Sequence, residues 1–121
     1  MRHLEDSLQE AIVRYVRVVA PQLLIYAVPN GGRRSKTEAI RLKRQGVLAG
    51  VFDLTIVAPG GKHYAVEVKT DTGSLSPAQR DIKDHLIRHA IPYVVVRSVE
   101  DIRTALAQWG LATRESPAQR F

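Results

Sequence analysis

The sequence predicts an α/β domain built on a mixed sheet, with a β-hairpin core flanked by helices. Three observations predict it. Apolar residues recur at helical spacing through residues 4–19, as in an amphipathic helix. Two strand-like runs, 52–57 and 62–69, are separated only by Ala58-Pro59-Gly60-Gly61, the pattern of a hairpin. A last apolar run, 92–96, is reached through a helical segment, which is how the chain crosses over to a parallel strand.

Each element has its local reason. Leu4, Leu8, Ala11, Ile12, Tyr15 and Val19 form the buried stripe of the first helix, and Pro21 closes it. Residues 23–28 are a short apolar run of strand length, broken by Pro29-Asn30-Gly31-Gly32. Ser35-Lys36-Thr37-Glu38 is a capping box and Gly46 a helix stop, so a loop and a short helix are expected between. In the second hairpin strand, His63, Ala65, Glu67 and Lys69 alternate with Tyr64, Val66 and Val68. Ser76-Pro77-Ala78-Gln79 opens a helix expected to run to about His89. The run 92–96 reads as a fully buried central strand. Ser98 caps a last helix ending near Gly110, and the polar tail 111–121 is expected to fray.

The 121 residues make one domain, placed at 1–110, followed by that tail. With 45% hydrophobic residues the chain can bury a core, and with no cysteine it has no disulfide or thiolate metal site. No apolar run is long enough to span a bilayer, and the early acids Glu5 and Asp6 argue against a signal peptide. A cytoplasmic protein with no membrane partner, bacterial or phage-encoded, is expected. The net charge is +6. Arg33, Arg34, Lys36, Arg41, Lys43 and Arg44 stand against Glu38 alone. Six cations against one acid leave +5 in this stretch, the electrostatic footprint of a polyanion partner. A solvated basic helix that binds nothing is the alternative. The exposed N–H groups of Asn30 and Gly31, beside Arg33 and Arg34, could also hold a phosphate. His85 and His89 have metal-ligand spacing but no third ligand, so a packed or solvated face is expected there.

The hairpin concentrates the chemistry. With the turn centred on Gly60, facing residues have numbers summing to about 120, so Asp53 lies opposite Glu67, within ~5.5 Å at Cβ. Lys69, two residues on, shares that face. Opposed carboxylates repel each other, and a divalent cation is the better compensation because Mg²⁺ takes oxygen ligands and keeps waters for substrate phosphate. Lys69 would then orient the attacking water or stabilise transition-state charge. An exposed ion-pair ladder is the plainer alternative.

Gly50-Val51-Phe52-Asp53, Glu67-Val68-Lys69 and Leu75-Ser76-Pro77-Ala78-Gln79 follow Pro29-Asn30-Gly31-Gly32 in that order. Together they resemble the VRR-NUC (virus-type replication–repair nuclease) domain of the PD-(D/E)XK nuclease superfamily, over about residues 5–96. The resemblance implies a restriction-endonuclease-like fold and metal-dependent hydrolysis of DNA phosphodiester bonds. It implies Asp53, Glu67 and the Val68 carbonyl as ligands of Mg²⁺ or Mn²⁺, Lys69 as catalytic, and Gln79 at the site. Gln79 also has a purely structural reading, as capping partner of Ser76. Phe52 departs from the family's usual proline, leaving the ligands in place. The family pattern also puts a glutamate on the first helix. At ~100° per residue, Glu5 lies about 60° from the centre of the apolar stripe and Glu10 about 160°, so Glu5 is the metal-ligand candidate. Its alternative role is to favour the helix dipole.

The expected substrates are branched or flapped DNAs, including Holliday junctions, in replication, repair or recombination. A domain this small would reach both strands most simply as a homodimer. A non-catalytic DNA-binding module and an RNA-directed nuclease are the rivals; the scarcity of aromatics disfavours the second.

Overall fold

A computed structural model describes residues 4–29 and 35–117. Along the chain run α1 (Leu4–Val19), β1 (Leu24–Ala27), α2 (Lys36–Arg44), β2 (Leu54–Val57), β3 (His63–Val68), α3 (Pro77–Arg88), β4 (Tyr93–Val96) and α4 (Val99–Gln108). The strands form one sheet in the order β1-β2-β3-β4. The first two pairings are antiparallel and the third parallel, so the sheet is mixed as expected. The run 23–28 adds a second antiparallel pairing to the hairpin.

Local sequence accounts for the element ends. Ser76 accepts from the Gln79 N–H while the Gln79 side chain accepts from the Ser76 N–H, closing the capping box with Pro77 in the first turn. Ser35 accepts from the Glu38 N–H and Ser98 from the Asp101 N–H, each satisfying one helix-start donor. The hairpin turn holds Gly60 at φ +94° and Gly61 at φ +90°, a left-handed pair that other residues adopt only with strain. It sets the register Leu54↔Val66, Thr55↔Ala65, Ile56↔Tyr64 and Val57↔His63, the pairing the sequence predicts.

Alternation then divides the sheet's faces. Ile25, Leu54, Ile56, Tyr64, Val66, Val68 and Val96 point to one side, where α1 and α4 bring Ile12, Val16, Ile102 and Leu106 against them. Tyr64 stacks on Trp109, with ring centroids 4.6 Å apart. The other face carries Thr55, Ala65, Glu67, Tyr93 and Val95, and α3 crosses it at the β4 side.

Two expectations are corrected. β4 is not central: it forms the edge beyond β3, and of its residues only Val96 is fully buried. The run of valines reports helices covering both faces, α3 on one and α4 on the other; it carries no information about lateral position. The segment after α4 is also docked rather than frayed, as far as Glu115. The Arg114 N–H donates to the Val19 carbonyl at 2.7 Å, and Gln22 Nε2 to the Ala112 carbonyl at 2.6 Å. Glu115 accepts from the Tyr15 hydroxyl and pairs with Arg103 at 3.1 Å.

Candidate active site

The β2–β3 pairing ends at Leu54↔Val66, and Asp53, the next residue back from Leu54, lies beside Glu67. The Asp53 N–H donates to the Val66 carbonyl at 3.1 Å, and the Val68 N–H, instead of meeting a backbone carbonyl, donates to Asp53 Oδ2 at 2.8 Å. Asp53 is thus held by the strand that carries Glu67. Because Glu67 alternates away from the α1–α4 core, its carboxylate enters the space beneath α3, where it is only 2% exposed. There Gln79 Nε2 donates to Glu67 Oε2 at 3.3 Å. Gln79 therefore does two things at once: its Oε1 closes the helix cap and its amide group holds the carboxylate.

Glu67 Oε1 is buried and finds no hydrogen-bond partner among the described residues. An orphaned buried oxygen of this kind calls for a water or an ion. Burial first, and then the Asp53 carboxyl beside it, raise the Glu67 pKa well above the usual carboxylate range. The Lys69 ammonium opposes that rise, and the Glu5 charge adds to it. Asp53, Lys69 and Glu5 thus all lie within electrostatic range of Glu67. Lys69 anchors through its N–H to the Val96 carbonyl at 3.0 Å, two residues from Glu67 on the same face. Glu5 lies half-buried in the first turn of α1, whereas Glu10 is exposed on the outer side.

Gly50 supports this arrangement from the side. It has φ +88°, and a Cβ there would lie 2.6 Å from the Ala78 carbonyl carbon and oxygen. The strand leading to Asp53 and the helix start bearing Gln79 touch backbone to backbone, which only glycine allows.

The basic helix belongs to the same end of the molecule. Its connection leaves β1 at Ala27, which pairs with Leu54, and returns to Asp53. Between these points α2 packs against no other helix or strand and has no buried residue. Lys36, Arg41, Lys43 and Arg44 on it are all exposed. Asn30, Gly31, Arg33 and Arg34 lie outside the described residues. His85 on α3 and His89 at its C-cap are exposed, ring centroids 4.7 Å apart.

A family model for the VRR-NUC domain matches residues 4–100. The chain belongs to the VRR-NUC family. Two solved structures share its fold. One, a VRR-NUC domain protein, has a TM-score of 0.71 at 22% identity and covers 90% of each chain. The other, a VRR-NUC domain, has a TM-score of 0.63 at 19% identity, covering 87% of this chain and 96% of its own. No curated protein matches. The family is a nuclease family, so the domain is of nuclease type and DNA is the substrate class it implies. None of the described helices is long and apolar enough to cross a membrane.

VRR-NUC nucleases are in general metal-dependent, and the residues fit a small hard cation. Two neighbouring carboxylates, one with a buried free oxygen, make an oxygen donor set that a divalent ion would neutralise. Among the described residues no three His, Asp or Glu side chains are grouped as a metal cluster. The side-chain donors at the centre are therefore Asp53 and Glu67, with Glu5 close enough to be felt as charge.

Reading the sequence missed one residue of this VRR-NUC site. Tyr93 pairs with Ala65, and Val95 with Glu67, which sets Tyr93 on the carboxylate face. Its hydroxyl is buried without a partner among the described residues. Burial, with the charges of Glu67 and Asp53, pushes the phenol pKa up. Period-two alternation across the 92–96 run was the available signal, masked by reading the whole run as core.

Proposed function

We propose that this VRR-NUC chain is a divalent-metal-dependent nuclease, using Mg²⁺ or Mn²⁺, that hydrolyses DNA phosphodiester bonds on branched or flapped structures. The observation that carries the reading is the approach of Asp53 to Glu67, with Asp53 held by the Val68 N–H and Glu67 Oε1 buried without a partner among the described residues. Asp53, Glu67 and the Val68 carbonyl would hold the ion, with Glu5 at the margin. When bound, a divalent ion polarises the phosphoryl group and makes hydroxide available near neutral pH. The chain's own residues do the rest. The Val68 N–H fixes one oxygen of Asp53, and the Gln79 amide fixes one oxygen of Glu67, which leaves a second oxygen of each for a ligand. Lys69 supplies a fixed positive charge for the attacking water and for charge developing on the phosphate. The exposed cations of α2, joined to the same end of the sheet, grip flanking phosphates.

A C₂ dimer is part of this proposal. It is supported by the small size of the domain and by Ile40, Val47 and Leu48, which stay exposed on α2 and the loop after it. Cytoplasmic action is expected of such an enzyme.

The test is incubation with labelled duplex, flap, splayed-arm and four-way-junction DNAs, with and without Mg²⁺ or Mn²⁺. Cleavage should need metal, favour the branched DNAs, and vanish in Asp53→Asn while DNA binding persists. Binding with no cleavage under any metal would favour the non-catalytic module, and preferential cutting of RNA would favour the other rival.

A further inference from the structure

Two oxygen atoms at this site are buried and lack partners among the described residues: Glu67 Oε1 and the Tyr93 hydroxyl. They sit on the same face of neighbouring strands. β3 and β4 run parallel, with Ala65 opposite Tyr93 and Glu67 opposite Val95, so Tyr93 is the diagonal neighbour of Glu67. A long aromatic side chain spans such a diagonal. The phenol also lies within electrostatic range of Glu67 and Asp53. The chemistry is complementary, since a phenol donates and a carboxylate oxygen accepts, yet no direct bond joins them. Two buried polar atoms of opposite hydrogen-bonding sense, near each other but not bonded, are the setting in which one ordered water bridges a gap.

We propose that Tyr93 is a positioning residue of the site, its hydroxyl sharing a water with Glu67 Oε1 and thereby fixing the carboxylate for its ligand. Gln79 holds the other oxygen at 3.3 Å, so the two contacts grip Glu67 from both sides. Neither constraint alone fixes the plane of a carboxylate; together they do. Outer contacts that orient a metal ligand commonly change metal affinity or activity by about 10–100-fold.

This inference rests on the metal-site reading above, and two variants separate the two claims. Tyr93→Phe and Asp53→Asn are compared with the unmodified chain by calorimetric titration with Mn²⁺, by thermal unfolding without metal, and by kcat and KM on a cleaved DNA. Tyr93→Phe should keep its metal-free unfolding midpoint, because the ring still packs. It should bind Mn²⁺ about tenfold more weakly and lose kcat with KM unchanged. A purely packing role for Tyr93 predicts no change in any of these for Phe and a loss of stability only for Tyr93→Leu. Wild-type Mn²⁺ affinity and kcat in Tyr93→Phe, with Mn²⁺ binding lost in Asp53→Asn, would overturn the inference and leave the metal site standing. Wild-type Mn²⁺ binding in Asp53→Asn would overturn both.

Discussion

At the scale of single residues, burial gives the Glu67 carboxyl an electrostatic cost. Its proton is retained in the folded metal-free protein up to about pH 9, against 4.5 for the ordinary carboxyl. The sign of the linkage follows: the folded-state pKa is raised, so this contribution is fully present below 4.5 and is lost as pH rises towards about 9. The metal-free chain should therefore melt at progressively lower temperature from pH 5 to 9. Adding Mg²⁺ should offset that loss most at the alkaline end. Glu67→Gln should remove the trend and match or exceed the metal-free stability of the unmodified chain, because it removes a buried charge while keeping the shape. A melting profile that rises with pH in this window would contradict the burial of an uncompensated carboxyl. The two acids of α1 separate in the same way. Glu5 is half-buried and its charge reaches Glu67, whereas Glu10 is exposed. Glu5→Gln should cut the cleavage rate sharply with the fold intact and Glu10→Gln should change little; equal rates at saturating Mg²⁺ would return Glu5 to a helix-dipole role.

Among the elements, two connections decide the site. Gly50 presses on the start of α3 at a positive φ, with room for no Cβ. Gly50→Ala should cost of order 1–3 kcal/mol from backbone strain and collision, read as a lower denaturation midpoint. It should also loosen the Gln79–Glu67 contact and slow cleavage beyond what the stability loss accounts for. The second connection is α2, which stands clear of the sheet with four exposed cations. Removing two phosphate contacts by Arg41→Ala with Lys43→Ala should weaken binding to all DNA sequences alike. The log–log salt slope on duplex should fall by about 1.8, at roughly 0.9 per contact. An unchanged slope would leave α2 as surface charge.

For the whole molecule, the proposed metal site lies at one end of a four-stranded sheet, with α1 and α4 behind and α3 in front. On the proposed function, cutting both strands of a junction would need a second copy. Light scattering should give a dimer for the free protein or for its junction complex, and a strict monomer in both states would remove paired incision. The segment after α4 is docked on α1 and α4 as far as Glu115. Arg103 there joins Tyr15 and Glu115 in a surface network that ties α1, α4 and the chain end together. Surface pairs of this kind add little individually, so the backbone bond from Arg114 to Val19 is the firmer link.

By itself the sequence determined the element types, most of their ends and the hairpin register. Those depend on neighbours along the chain: a capping Ser76, a Gly60-Gly61 turn, and a period that separates Glu67 from Val66 and Val68. Expecting Asp53 near Glu67 needed only the turn centre and the alternation of a strand, and the structure holds Asp53 on the Val68 N–H, one residue from Glu67. The family resemblance was legible for the same reason, since its motifs are local. Tertiary structure decided what covers what. Alternation shows that Glu67 leaves the core face, but only the crossing of α3 makes that second face a buried one and leaves Glu67 Oε1 without a partner. It also put β4 at the edge, brought Tyr93 to the carboxylates and folded the tail back onto α1. Local rules fix where a side chain points along its own element. The burial of a polar atom depends on which distant element lies over it, and no periodicity in the chain records that.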